Sequence, residues 1–263
     1  MREKKKIVMT IAGSDSSAGA GIQSDLKTFD NYRVYGLTVI TAITAQNTTG
    51  VQKTYEVPPI MIDAQLKSLF ADFKISAVKT GMLSSDKAVK VVAKNLKGKN
   101  LKIVIDPIVL SKNDFPLLDT KGIEALKKYL MPLAYLVTPN LNEAELLSGF
   151  KIKSGHELNL AAKKIYSFGC RYVLIKGGHF SKQLGIEKGV DILFDGARFT
   201  TIKSAYINSN NTHGIGCTLS AAITANIARG LKIQNAIIDA KLYIVKSLKK
   251  SIKIGKGVSP IEQ

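Results

Sequence analysis

The chain has 263 residues, 45% of them hydrophobic, enough to bury one large core, and it reads as a single domain over residues 1–263. No run approaches the roughly 20 apolar residues of a membrane span, and "MREKKKIVMTIAG" has too short an apolar part for a leader, so a soluble, cytoplasmic protein with no membrane partner is expected. The formal charge of +18 raises nucleic acid as a partner, but only Arg2, Arg33, Arg171, Arg198 and Arg229 carry the fork that reads base edges, and the lysines spread along helix faces without interleaved aromatics. No nucleic-acid partner is expected; charge alone does not separate a solvated lysine surface from one that steers an anionic substrate.

In chain order, "KIVMTIAG" (6–13) predicts a strand and "GIQSDLKTFDNY" a helix, followed by a strand "LTVITAITAQ" (37–46) and a helix "PIMIDAQLKSLFADF" with Leu66, Leu69, Phe70 and Phe73 at helical spacing. Strand "AVKTGM" (77–82), helix "DKAVKVVAKNLKG", strand "LKIVIDP" (101–107) and helix "TKGIEALKKYLMP" come next, the last capped by Asp119 or Thr120. Strand "AYLVTPN" (134–140), helices "NEAELLSGF" and "ELNLAAKKIYSFG", and strand "YVLIKGG" (172–178) complete the alternation. Such continuously apolar strands, alternating with helices, imply an α/β fold with a mostly parallel central sheet covered on both faces. The pattern changes after Gly178: "VDILFDGARFTTIKSAYI" predicts an antiparallel hairpin at a sheet edge, and helices over 217–229 and 234–250 close the chain.

Two cysteines, Cys170 and Cys217, make neither a disulfide framework nor a four-ligand zinc site. Two Gly-x-Gly turns stand before helices, Gly19-Ala20-Gly21 and Gly214-Ile215-Gly216. Neither is a dinucleotide fingerprint, because Ser24 and Leu219 occupy the third-glycine positions and the second strand ends at Gln46 rather than an acid. No Walker A loop is present. Each turn is either an anion nest of backbone N–H groups at a helix start or a helix cap that needs small residues. Cys217 then sits at the first or second position of its helix, where a thiol is expected to be acidified, or else simply packs the helix start. Cys170 reads as structural.

The segments "TIAGSDSSAGAGIQSDLKTF", "VITAITAQNTTGVQ", "KTGML", "DPIV", "TPNLNEAELL", "KGGH" and "NTHGIGCTLSAAI" occur in this order along nearly the whole chain. Together they resemble the hydroxymethylpyrimidine and phosphomethylpyrimidine kinases of thiamine biosynthesis, in the pyridoxal kinase branch of the ribokinase-like superfamily. The resemblance implies a three-layer α/β/α fold and ATP with magnesium as phosphoryl donor. It also implies phosphorylation of 4-amino-5-hydroxymethyl-2-methylpyrimidine and then of its monophosphate, and a homodimer. Pyridoxine or pyridoxal kinase is the alternative within the same fold; a non-enzymatic pyrimidine- or nucleotide-binding protein is the alternative outside catalysis.

The resemblance also implies residue roles. Gln46 and Asp25 would bind the pyrimidine ring edge, Gly13 and Ala18 would leave it room, and Met82 would wall it. Gly214, Ile215, Gly216 and Cys217 would hold the transferred phosphoryl group, with Cys217 receiving or orienting the hydroxyl proton. Lys176 would neutralise donor phosphates, while Asn140, Gly178, Asn211 and Thr212 would help seat the nucleotide. Asp106 and Glu143 would hold magnesium, which takes few protein ligands. The chain departs from the family at four places: Ile215 replaces a usual threonine, Ala18 a glycine, and "VLSKNDFPLL", with Lys112 and Asp114, a glycine-containing loop; the tail "GKGVSPIEQ" lacks a usual final histidine.

Overall fold

The computed structural model describes residues 5–110, 116–177 and 188–263. Nine strands form one sheet in the order β3-β2-β1-β4-β5-β6-β7-β8-β9. They are β1 (Ile7–Asp15), β2 (Tyr35–Asn47), β3 (Gly50–Glu56), β4 (Ala77–Thr80), β5 (Lys102–Ile105), β6 (Leu136–Val137), β7 (Val173–Ile175), β8 (Val190–Phe194) and β9 (Phe199–Lys203). The six strands from β2 through β7 in the sheet order pair in parallel, as their apolar runs require, and β3, β8 and β9 are antiparallel.

The β8–β9 hairpin stands where the sequence places it, turning at Asp195 and Gly196, whose φ of 96° suits glycine. The second antiparallel edge, β3, is not anticipated by the sequence reading. "GVQKTYE" lacks an apolar alternation because most of its side chains face solvent on an edge strand, so no buried face writes a period into it.

Helices cover both faces. On one side lie α2 (Pro59–Asp72), α3 (Asp86–Leu96), α4 (Thr120–Ala125), α5 (Leu141–Ser148) and α6 (Gly155–Tyr166). Ile62, Leu66, Val89, Val92, Leu147 and Ile165 from these helices pack on Met9, Ile11, Val78 and Ile103 of the strands. On the other side lie α1 (Gly21–Asn31), α7 (Ile215–Ala228) and α8 (Ile233–Lys250), which bury Phe29, Ile223 and Ile237 against Val8, Ala77 and Val104. Successive strand residues alternate between these two cores, which is how the period of two in a strand serves two helical layers.

Local signals set the helix starts. Asp119 caps α4 by accepting from the Gly122 N–H, and Ser85 caps α3 through the Ala88 N–H. Helix α4 continues as a π turn and a 3-10 turn through Leu133, over the span predicted as one helix. Cys170 is buried at the end of α6's connection, and burial pushes its thiol up to about 12, in keeping with a structural role. Among the described residues no helix is long and apolar enough to cross a membrane.

Candidate active site

The C-terminal ends of parallel strands open onto a cavity of about 790 Å³, the place where open α/β sheets bind ligands. Its floor comes from successive strand ends: Gly13 and Asp15 at the end of β1, Thr44 and Gln46 on β2, Met82 after β4, Asp106 after β5, and Lys176 after β7. Asn140 and Glu143 at the start of α5, and Thr212 through Cys217 at the start of α7, close its upper wall. The cavity continues as an apolar slot between residues 204–207 and Ile244, Val245 and Leu248 of α8.

The turn before α7 is held open by glycine. Gly214 is the N-cap with φ 81°, and a Cβ there would collide with the Gly19 carbonyl. The helix begins at Ile215, so Cys217 is its third residue rather than its first or second. The N–H groups of Ile215, Gly216 and Cys217 belong to the first turn, where no intrahelical acceptor is available. A Cβ on Gly216 would stand 3.4 Å from Lys176 Nζ and 3.7 Å from Asp106 Oδ2. The nest, the lysine and the carboxylate therefore meet at one point.

Asp106 is almost fully buried. It accepts from Lys176 Nζ at 2.8 Å and Thr138 Oγ1 at 3.2 Å on one oxygen, and from Ser220 Oγ at 3.2 Å on the other. Burial opposes its ionisation, but Lys176 and Lys79 outweigh burial and hold its pKa below the usual carboxylate value. Lys176 Nζ is also 3.9 Å from Glu143. Glu143 and Asn140 form a capping box: Glu143 N–H donates to Asn140 Oδ1 at 2.9 Å, and Asn140 N–H donates to Glu143 Oε2 at 2.7 Å. Burial raises Glu143 to about 7; Lys176 works against this rise and the Asp106 charge adds to it.

Cys217 lines the cavity with only 7% of its surface exposed. The sequence expectation of an acidified thiol is reversed. Burial pushes the thiol up to about 11, against the opposing pull of Lys79 and a hydrogen bond from the Gly21 N–H. A helix start acidifies a thiol that water also reaches; desolvation at this depth is the larger effect.

Asp25 is also corrected. It is fully buried, accepts from Thr10 Oγ1 at 2.6 Å, and pairs with Lys79 Nζ at 2.8 and 3.0 Å, so it does not reach the cavity. Helix α1 turns this side chain inward onto the strands, where Lys79 of β4 needs a counter-ion. Ala18 and Asn211 likewise do not line the cavity. Ala18 lies at φ 58° in the loop before α1, where its carbonyl accepts from Lys27 Nζ, and the Asn211 amide donates to the Ser251 carbonyl. Gly178, Lys112 and Asp114 lie outside the described residues. Gly13, Gln46 and Met82 all line the cavity, and a Cβ at Gly13 would stand 3.1 Å from Met82 Sδ.

Five polar residues were not legible in their roles from the sequence. Asp15 and His213 meet at 3.0 Å beside Gln46, and Lys79 hides in the fully buried strand β4. Lys241 of α8 pairs with Asp191 at 2.6 Å, and the other Asp191 oxygen accepts from the Gly177 N–H, fixing the backbone next to Lys176. The only signal for Asp15 was its place before a run of small residues, "DSSAGAG", whose backbone N–H groups can wrap a carboxylate. In the tail, the Gln263 amide donates to Ser24 Oγ at 2.6 Å and Thr218 Oγ1 at 3.1 Å, tying α1 to α7.

Comparison with known proteins is consistent with this geometry. The family model described as phosphomethylpyrimidine kinase matches residues 15–262. The chain is 39% identical over 256 residues to the hydroxymethylpyrimidine/phosphomethylpyrimidine kinase of Streptomyces coelicolor, covering 97% of this chain and 93% of that protein. It is 44% identical over 255 residues to the thiamine biosynthesis bifunctional protein ThiED of Geobacter sulfurreducens, covering 97% of this chain but only 51% of that protein. A pyridoxal kinase of Bacillus subtilis, solved as an ADP complex, superposes with a TM-score of 0.88 at 39% identity, over 98% of this chain and 97% of that one. By sequence and by fold, the chain belongs to the phosphomethylpyrimidine kinase family.

Proposed function

We propose that this chain is an ATP-dependent kinase that phosphorylates 4-amino-5-hydroxymethyl-2-methylpyrimidine and then its monophosphate to the diphosphate. The observation that carries the proposal is one continuous cavity that runs from Gln46 to the Gly214–Cys217 turn, with Lys176, Asp106 and Glu143 gathered at that turn. Gln46 offers a donor and an acceptor to a ring nitrogen and its neighbouring amino group. Thr212 and the apolar slot along α8 would seat the nucleotide and its base.

Phosphoryl transfer depends mainly on positioning and charge stabilisation. The N–H groups of residues 215–217 would hold the γ-phosphoryl oxygens, and Lys176 would leave Asp106 for a donor phosphate. Cys217, a thiol at neutral pH, would orient the attacking hydroxyl rather than act as a ready thiolate. The residues fit magnesium: Asp106 and Glu143 are two carboxylates that share a single lysine at the cavity wall. Bound there through these two carboxylates, magnesium would offset the charge of the phosphates.

In this reading residues 1–263 act as one cytoplasmic domain, and a second copy of the chain covers the exposed apolar side chains Ile43 and Tyr55 on the β2–β3 edge and Ile60 and Met61 at the start of α2. The likeness to the Bacillus subtilis pyridoxal kinase supports a second reading, phosphorylation of a pyridoxal-type ring. Turnover measured with MgATP on both rings separates the two: the pyrimidine is expected to be the faster substrate, and faster turnover of pyridoxal would overturn the first reading.

A further inference from the structure

The first glycine turn is a nest that already holds its anion. Asp15 Oδ1 accepts from the Ser17 N–H and hydroxyl, both at 2.8 Å. Its Oδ2 accepts from the N–H groups of Gly19 at 3.2 Å and Ala20 at 2.9 Å. The same oxygen lies 3.0 Å from His213 Nε2 and accepts from Gln46 Nε2 at 3.4 Å. Asp15 is buried, and although burial works against ionisation, the bonds from His213 and Ser17 outweigh it and hold the carboxyl down at about 2. Near neutral pH it is therefore an acceptor only.

An acceptor that never donates dictates which end of a neighbouring carboxamide it faces. The NH2 end of Gln46 must turn toward Asp15, and the Gln46 oxygen then turns toward the Thr44 hydroxyl, 3.3 Å away. His213 Nε2 lies 3.1 Å from Gln46 Nε2, but its proton goes to Asp15, so it does not accept from the amide. One Gln46 N–H proton is engaged by Asp15, and its second proton and its oxygen remain for a ligand, in a fixed order.

We infer that Asp15 is a positioning residue that sets the Gln46 carboxamide in one orientation and so sets the direction in which a bound aminopyrimidine lies. This inference rests on the pyrimidine reading given above. In the substrate the exocyclic amino group lies between the ring nitrogen it flanks and the carbon that carries the hydroxymethyl arm. Pairing the ring nitrogen with Gln46 Nε2 and the amino group with Gln46 Oε1 therefore sends the arm in one direction; an inverted amide pairs with the ring turned over and sends the arm elsewhere. A pyridine ring with no amino donor beside its nitrogen offers nothing to the lone pair that the Thr44 hydroxyl leaves open on the Gln46 oxygen, a mismatch that polar sites penalise.

The test is a double-mutant cycle in the full chain, read as calorimetric binding of the aminopyrimidine, with ADP binding as the fold control. D15N is expected to weaken pyrimidine binding about tenfold or more in the wild-type background and to change it less than about twofold in a Q46A background. ADP affinity is expected to stay within about twofold of wild type in both. An undiminished D15N penalty in the Q46A background, or D15N binding equal to wild type, overturns the inference. If D15N does not fold, the wild-type chain still decides: the Gln46 side-chain NH2 protons are expected to be protected from solvent exchange without ligand, and free exchange overturns the role of Asp15. Failure of the wild-type chain to bind the pyrimidine would count against the proposed substrate, whereas the amide protection reads Asp15 without any ligand.

Discussion

Lys79 Nζ lies 2.8 Å from Asp25 Oδ2, and neither side chain has any exposed surface. The pair sits between the sheet and α1, close enough to Cys217 to act on its thiol. Asp25 thus serves Lys79 rather than the ligand. Removing one partner of a buried ion pair leaves the other charge uncompensated, at a cost of about 3–5 kcal/mol. D25N is expected to lower unfolding stability by about that amount, measured by urea denaturation. A D25N protein of wild-type stability with selectively weakened ring binding would return Asp25 to the substrate.

Cys217 supplies a second prediction. With its thiol pushed up to about 11, alkylation by iodoacetamide should be slow at pH 7 and should accelerate only as pH approaches 11. General-base catalysis contributes roughly a hundredfold or more, so C217A is expected to lose less than that in turnover if the thiol only orients the hydroxyl. A hundredfold loss, together with rapid alkylation at neutral pH, would contradict this account.

Glu143 ties magnesium use to pH. Burial is the first cause of its rise from 4.5 to about 7, so the folded chain favours its protonated form up to that pH. Apparent magnesium affinity, followed by the dependence of turnover on magnesium, is expected to be full above pH 7 and to fall as pH drops through 7. E143Q is expected to weaken it by about tenfold or more and to remove the pH dependence. Without a cation, the same raised pKa makes the folded state less stable as pH rises from 4.5 through 7, and E143Q removes that slope as well. A wild-type magnesium response that is flat between pH 5.5 and pH 8 would exclude this role.

What the sequence made legible follows from what each residue's neighbours in the chain can report. The parallel core was readable because "KIVMTIAG" and "LKIVIDP" are apolar on both faces, and the β8–β9 turn because Asp-Gly marks it. Gly214 through Cys217 were readable from a glycine turn set before a helix, whereas Lys176 and Glu143 stood out only through the resemblance to the kinase family. Asp25 was misread because its partner is 54 residues away, on a strand whose apolar neighbours hide the lysine. Asp15 and His213, 198 residues apart, become a unit only when β1 and α7 converge. Edge strand β3 escaped for the opposite reason, since a strand with little buried surface carries no hydrophobic period.

In the proposed reaction one cavity carries the pyrimidine through two phosphorylations. Mass analysis of the products after incubation with MgATP and 4-amino-5-hydroxymethyl-2-methylpyrimidine tests it most directly. The monophosphate is expected to appear first and then to be converted to the diphosphate. Accumulation of monophosphate alone, or no phosphorylated pyrimidine at all, would contradict it.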